Sequence, residues 1–288
     1  MTDQAKTLRV IRGGATSQKI KIPTRRAFAI SGGKGGVGKS TIALNLAIAY
    51  AQAGNRTLVL DTDLGMADLN LLLGVAPDKS MLDALGGTAT IEDIIVKAHG
   101  IELLPALNGS YVLSTLGGAA HDQILSMVAG LAEKFDTLVV DIAAGIGRAQ
   151  TTFAGATTDA IVVVNPEPLS MADAYASLKV LSIEQGVRHA FVVPNKTSTR
   201  AQADEVVNRL RSIVDRFLTL ELTALPPIPA DHAVAEAAQI GVPLMVHAPD
   251  SPAARAIRNL VRSLAALPPP TRAGWWRDAP ARVQGDVR

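Results

Sequence analysis

The segment Ser31-Gly-Gly-Lys-Gly-Gly-Val-Gly-Lys-Ser-Thr41 constrains this chain more than any other. It follows a short apolar run, Phe28-Ala-Ile-Ser31, and opens an Ala- and Leu-rich stretch over 39–53. A loop so rich in glycine, set between a strand and a helix, has a narrow set of uses. Gly35, Gly36 and Gly38 let the backbone curl until its N–H groups converge on phosphate oxygens. The helix start behind them adds a favourable field for an anion. Gly33 to Ser40 fits G-x-x-x-x-G-K-[ST]; Lys39 is placed to reach the β- and γ-phosphates, and Ser40 to ligate Mg²⁺. The nucleotide-binding set read from this loop is Gly33, Gly35, Gly36, Val37, Gly38, Lys39, Ser40 and Thr41. A glycine-rich turn without a ligand is the alternative, and the strand–loop–helix context speaks against it.

The rest of the body repeats the same alternation. Apolar β-branched runs recur at Thr57–Asp61, Thr137–Asp141, Ala160–Val164 and Ala190–Val193, apolar nearly throughout, as strands covered on both faces must be. Helical stretches lie between them at 122–134, 171–185 and 201–217, and two amphipathic helices follow at 232–240 and 253–266. Ser170 with Asp173 reads as a helix start with a capping pair. The expected fold is α/β: a doubly wound, mostly parallel sheet with helices on both faces. Pro268-Pro-Pro270 ends the last helix. Three segments result: a basic leader, 1–26, with a short helix at 3–11 and a linker; one domain, 27–267; and an Arg-, Pro- and Trp-containing tail, 268–288.

Composition narrows the function. The 288 residues include no cysteine, which excludes a disulfide framework, an all-Cys metal or iron–sulfur site and thiol catalysis. The histidines 99, 121, 189, 232 and 247 are scattered and form no metal motif. No charged patch leads into an apolar run, and no apolar stretch reaches about 18 residues, so a cytoplasmic protein that does not span a membrane is expected. The formal net charge of +2 conceals a partition. The leader holds seven basic residues and one acid, the tail four Arg and two Asp, and the body 17 basic against 23 acidic residues. An acidic body disfavours non-specific DNA binding.

Lys34, at the start of the loop, makes the pattern K-G-G-x-G-K-S and here the sequence resembles the deviant Walker A group of MinD/ParA-type P-loop ATPases. The resemblance implies ATP and Mg²⁺ as cofactors. It also implies a homodimer formed with ATP, in which Lys34 reaches the partner's phosphates; the alternative is a solvated loop lysine. It further implies that Asp61 faces the Mg²⁺ shell, that Asp63 orients or deprotonates the attacking water, and that Asp141 holds Mg²⁺ through water. Thus Lys34, Lys39 and Asp63 are the candidate catalytic residues, and Ser40, Asp61 and Asp141 the candidate metal set. Gly145 is read as freeing the loop that senses the γ-phosphate. After the strand ending at 193, Pro194-Asn-Lys-Thr-Ser198 has Ser198 where a guanine-reading Asp would stand, which favours ATP. Asn195 matches the adenine-reading position of the family, or is a plain loop residue. Pro229 and Asp231, in Pro227–Asp231, are read as adding contacts to the base.

Within the group, Asp141-Ile-Ala-Ala-Gly-Ile146 and Glu167-Pro-Leu-Ser-Met-Ala-Asp-Ala-Tyr-Ala176 resemble flagellar number regulators of the FlhG/FleN type. So does Asp3-Gln-Ala-Lys-Thr-Leu-Arg9. That resemblance implies that Asp3, Gln4, Ala5, Leu8 and Arg9 dock on an FlhF-type SRP GTPase, with flagellar C-ring proteins as further partners. An ordinary basic leader is the other reading. A ParA-type DNA-partitioning ATPase and a MinD-like division-site regulator are the rival functions. Departures from the family pattern are Ile142 for Thr or Ser, Pro194-Asn-Lys for Ala-Asn-Met, and Thr62 where Ala is common. Trp275 and Trp276 among Arg272, Arg277 and Arg282 suit a peripheral position at the inner face of the cell membrane, whereas Pro268–Pro270, Gly274 and Pro280 oppose a continuous amphipathic helix.

Overall fold

The computed structural model describes residues 25–62, 68–105, 118–145 and 148–270. In chain order the elements are β1 (Arg26–Ser31), α1 (Lys39–Gln52), β2 (Thr57–Asp61), α2 (Asp68–Leu73), α3 (Met81–Leu85), a 3₁₀ turn (Glu92–Ile94), β3 (Val96–Ala98), β4 (Ile101–Leu104) and α4 (Gly118–Ala132). They continue as β5 (Thr137–Asp141), α5 (Arg148–Gly155), β6 (Asp159–Val164), α6 (Pro168–Glu184), β7 (His189–Pro194), α7 (Arg200–Phe217) and β8 (Glu221–Ala224). The last three helices are α8 (His232–Gln239), α9 (Leu244–His247) and α10 (Pro252–Ala265).

Among the described residues the strands form one sheet in the order β3-β4-β2-β5-β1-β6-β7-β8, with only the β3–β4 pair antiparallel. Alternate residues of each strand enter opposite cores. Leu58, Leu60, Leu138 and Val140 pack with α4 to α7, while Val59, Val139, Ile161 and Val193 pack with α1 and α10. Two covered faces explain why the central strands are apolar at every position. The doubly wound architecture expected from the sequence is therefore the observed one.

Strands β3, β4 and β8 carry no sequence expectation: all are short, and β3 and β8, at the two edges of the sheet, are partly exposed. The β3–β4 turn places His99 at φ 49° and Gly100 at φ 83°, the pairing of left-handed residues that a tight hairpin requires.

One local expectation is corrected. Helix α6 starts at Pro168, not at Ser170. Ser170 lies within the first turn, and its Oγ accepts from the amide of Asn165 at 3.0 Å, so it ties the end of β6 to the helix. The capping arrangement of this kind occurs at Ser80, whose amide and hydroxyl donate to Asp83 Oδ2 at 2.7 and 2.9 Å.

At the pole where the strands begin, Arg26 is buried inside β1. Its guanidinium donates to both carboxylate oxygens of Asp159 at 2.9 Å and also to the main-chain carbonyl of Pro268. Arg25 pairs with Glu133 at 2.7 Å. Two cations counted with the leader thus belong to the body's own ion pairs, and residues 25 and 268 lie at one pole.

Candidate functional site

The opposite pole, where the parallel strands end, gathers the chemistry-bearing residues. This is the edge at which open α/β sheets bind ligands. The loop 32–38 leaves β1 there and enters α1. Gly36 and Gly38 sit at φ 76° and 101°, conformations that L side chains rarely adopt. A side chain at Gly38 would also collide with the amide of Asn195, and one at Gly33 with the main chain at Asp173. The glycines are thus fixed by backbone shape and by neighbours on both sides.

Side chains already hold three carbonyls of this loop. Lys39 Nζ donates to Lys34 O at 3.1 Å, Lys196 Nζ to Gly36 O at 2.8 Å and Asn195 Nδ2 to Val37 O at 2.7 Å. With three successive stretches of its main chain bonded by side chains, the loop is held in a curl, the backbone form that anion sites use. Lys34 is half-exposed, its ammonium 3.7 Å from Glu167 at the start of α6. Ser40 and Thr41 lie in the first turn of α1.

The two carboxylates expected to serve a metal are neighbours. Asp61 ends β2, Asp141 ends β5, and the two are register partners in the parallel ladder. Each is 4% exposed. Asp61 Oδ2 accepts from the amide of Leu69 at 3.4 Å, tying the start of α2 to the strand end. Thr62 stitches the same edge: its Oγ1 donates to Asp141 O at 2.7 Å and accepts from the amide of Ala143 at 3.3 Å. Gly145 follows at φ 111°. The Ser40 hydroxyl at the helix start and the two buried carboxylates at the strand ends all carry oxygen donors, the ligand type that a hard divalent cation such as Mg²⁺ takes. Asp63 lies outside the described residues, as do Asp3, Gln4, Ala5, Leu8 and Arg9 of the leader and Trp275 and Trp276 of the tail.

On the base side, Asn195 is buried and committed to Val37 through its amide nitrogen. Pro229 forms a parallel bridge with Thr197, which brings Pro227–Asp231 against the β7–α7 loop. The Asp231 side chain has structural work: Oδ1 accepts from Ala233 N at 3.1 Å, capping α8, and Oδ2 from Ala253 N at 2.9 Å, at the start of α10. Burial raises the Asp231 pKa, but the amides of Ala253 and Ala233, the Ser251 hydroxyl and Arg255 outweigh it and leave the carboxyl below the usual aspartate value.

Sequence reasoning assigned no role to Lys196, Glu167 or Asp173 at this edge. Lys196 was visible only as a departure from the family pattern. Glu167 and Asp173 were visible only inside a motif, without the fold that brings α6 against the loop.

Comparison with known proteins bears on this edge. The sequence profile of the ParA family, described as NUBPL iron-transfer P-loop NTPase, matches residues 24–265. The antiactivator FleN of Pseudomonas aeruginosa is 32% identical over 246 residues, covering 85% of this chain and 88% of FleN. The flagellum site-determining protein YlxH of Helicobacter pylori is 34% identical over 204 residues, 70% of this chain and 68% of YlxH. The septum site-determining protein MinD of Pyrococcus horikoshii, solved in complex with Mg-ADP, superposes with a TM-score of 0.70 at 26% identity, covering 84% of this chain and 96% of that one.

Proposed function

The chain belongs to the ParA family of P-loop NTPases and is an ATPase regulator of that family, and from this premise we propose that it is an Mg-ATP-dependent dimerisation switch controlling flagellar number or placement. The observation that carries the reading is the meeting at one sheet edge of a loop bearing Lys34 and Lys39 with the register partners Asp61 and Asp141. Likeness to FleN and YlxH supports the flagellar output. The iron transfer named in the family description is not carried over, because the chain has no cysteine to hold a cluster.

In this reading the loop amides and Lys39 bind the phosphates, and Asn195 and the 227–231 segment flank the base. Ser40, Asp61 and Asp141 hold Mg²⁺, which when bound neutralises charge on the phosphate oxygens. Asp63 orients the water. Lys34 exchanges Glu167 of its own chain for the phosphates of a second copy, which makes dimerisation depend on ATP. Hydrolysis is slow and resets the switch.

The leader residues Asp3, Gln4, Ala5, Leu8 and Arg9 dock on an FlhF-type SRP GTPase, and C-ring proteins are further partners. Deleting residues 1–10 should abolish stimulation of the purified GTPase while ATP binding persists; unchanged stimulation would refute the leader assignment. A second reading concerns the tail, where Trp275 and Trp276 among arginines suit contact with an anionic bilayer. Flotation of the full chain with liposomes in ATP, compared with a chain ending at 270, decides it. Salt-sensitive binding to random duplex DNA would instead favour a partitioning role.

A further inference from the structure

We propose that Lys196 is a nucleotide-positioning residue, tying the base side of the site to the apex of the phosphate loop. The inference rests on the ATP-binding reading and goes beyond it, because that reading uses Asn195 and Ser198 of the 194–198 segment and gives Lys196 no role. Three observations carry it.

The first is the bond itself. Lys196 Nζ donates to Gly36 O at 2.8 Å across a sequence separation of 160 residues. A bond from a charged donor is among the stronger ones a side chain can make. Beside it, Asn195 Nδ2 donates to the next carbonyl, Val37 O, at 2.7 Å. Adjacent residues thus hold adjacent loop carbonyls.

The second is the backbone that makes the reach possible. Lys196 has φ 55°, one of two non-glycine residues with positive φ among the described residues. That conformation is disfavoured for an L side chain, so the surroundings must hold it. They do: the amide of Asn195 donates to Val164 O at 2.8 Å, and Thr197 is buried and bridged to Pro229. The amide of Ala230 donates to Thr197 O at 3.0 Å.

The third is the state of the target. Gly35 and Gly36 have open space where side chains would stand, so among the described residues nothing packs against that side of the apex. Lys196 supplies the brace from outside, and its ammonium adds a third cation beside Lys34 and Lys39. Its carbon stem then spans the gap between the base-side loop and the phosphate loop, giving an adenine ring an apolar surface to lie against. The consequence is preorganisation: the loop holds its curl before nucleotide arrives, and base and phosphates are registered by one side chain.

Titration of the full chain with a fluorescent ATP analogue, together with steady-state ATPase assays, tests this. Lys196→Met should weaken ATP binding about tenfold, as loss of one charged hydrogen bond and one cation would, with most of the loss in KM and the smaller part in kcat. Lys196→Arg should recover much of the affinity. Lys196→Gly, which accepts the positive φ but has no amine, should bind as weakly as Lys196→Met. Wild-type affinity in Lys196→Met or Lys196→Gly, alongside lost binding in Lys39→Ala, overturns the inference and leaves the ATP reading intact. Absence of ATP binding by the wild-type chain overturns both.

Discussion

The hydroxyl of Thr62 donates to the main-chain carbonyl of Asp141 at 2.7 Å and so joins the ends of β2 and β5. The same oxygen accepts from Ala143, at the start of the loop that follows Asp141. Both strand ends carry a carboxylate of the proposed Mg²⁺ site, so this one buried oxygen adds to the ladder, and to the 3.1 Å bond from the Thr62 amide to Asp141 O, in setting their spacing. Thr62→Val keeps the shape and removes both bonds. We expect it to lower stability by about 1–2 kcal/mol and to slow ATP turnover; equal denaturation midpoints and equal turnover would refute the role.

Asp141→Asn probes the cation more directly. The amide is nearly isosteric but carries no charge, so Mg²⁺ should be held less well. In wild type, ATP affinity should fall when EDTA replaces Mg²⁺. In the variant the two conditions should give similar affinities, both near the wild-type value in EDTA. Retention of a full Mg²⁺ effect would remove Asp141 from the site.

At the far pole, Arg26 and Asp159 form a buried, doubly hydrogen-bonded ion pair. Removing one partner strands the other's charge in a low-dielectric interior. Arg26→Met should therefore cost about 3–5 kcal/mol in urea unfolding, whereas the double replacement Arg26→Met with Asp159→Leu should recover much of the loss. Equal costs for the single and double variants would contradict this account.

Asp231 links stability to pH. Its carboxyl titrates below the ordinary value of 3.8, so the folded state favours the ionised form. That contribution is fully present above the unfolded-state pKa and is lost as pH falls through the lower folded-state pKa. Asp231→Asn retains an acceptor for one amide but cannot accept from both Ala233 and Ala253. It should cost about 1 kcal/mol at neutral pH, and the gap between variant and wild type should close in acid. Thermal unfolding across the acid range checks the sign: a gap that widens on acidification would be the wrong result.

The fold was legible in the sequence wherever burial on both faces left a continuous apolar run, as in Ala160–Val164 of β6 and in Thr137–Asp141. The edge strands were not, since a run such as Glu221-Leu-Thr-Ala224 has one solvent face and too few residues to show a period. The site was legible where chemistry restricts residue type: the loop glycines, Lys39, and the strand-end Asp61 and Asp141. It was illegible where a role depends on reach across the fold. Nothing in the order of residues shows Lys196 at the Gly36 carbonyl, Thr62 between two strand ends, or Asp231 committed to two helix starts. Ser170 misled because a serine three residues before an acid has the pattern of a cap, while Pro168 had already begun the helix.

The most direct test of the dimerisation switch is the solution mass of the full chain by light scattering, with Mg-ATP and with Mg-ADP. Slow hydrolysis should let the ATP state persist, and Asp63→Ala should prolong it. The account predicts about twice the chain mass of 30.0 kDa for wild type and Asp63→Ala in ATP, and the single-chain mass in ADP and for Lys34→Ala in either nucleotide. Single-chain mass for both wild type and Asp63→Ala in ATP would contradict it.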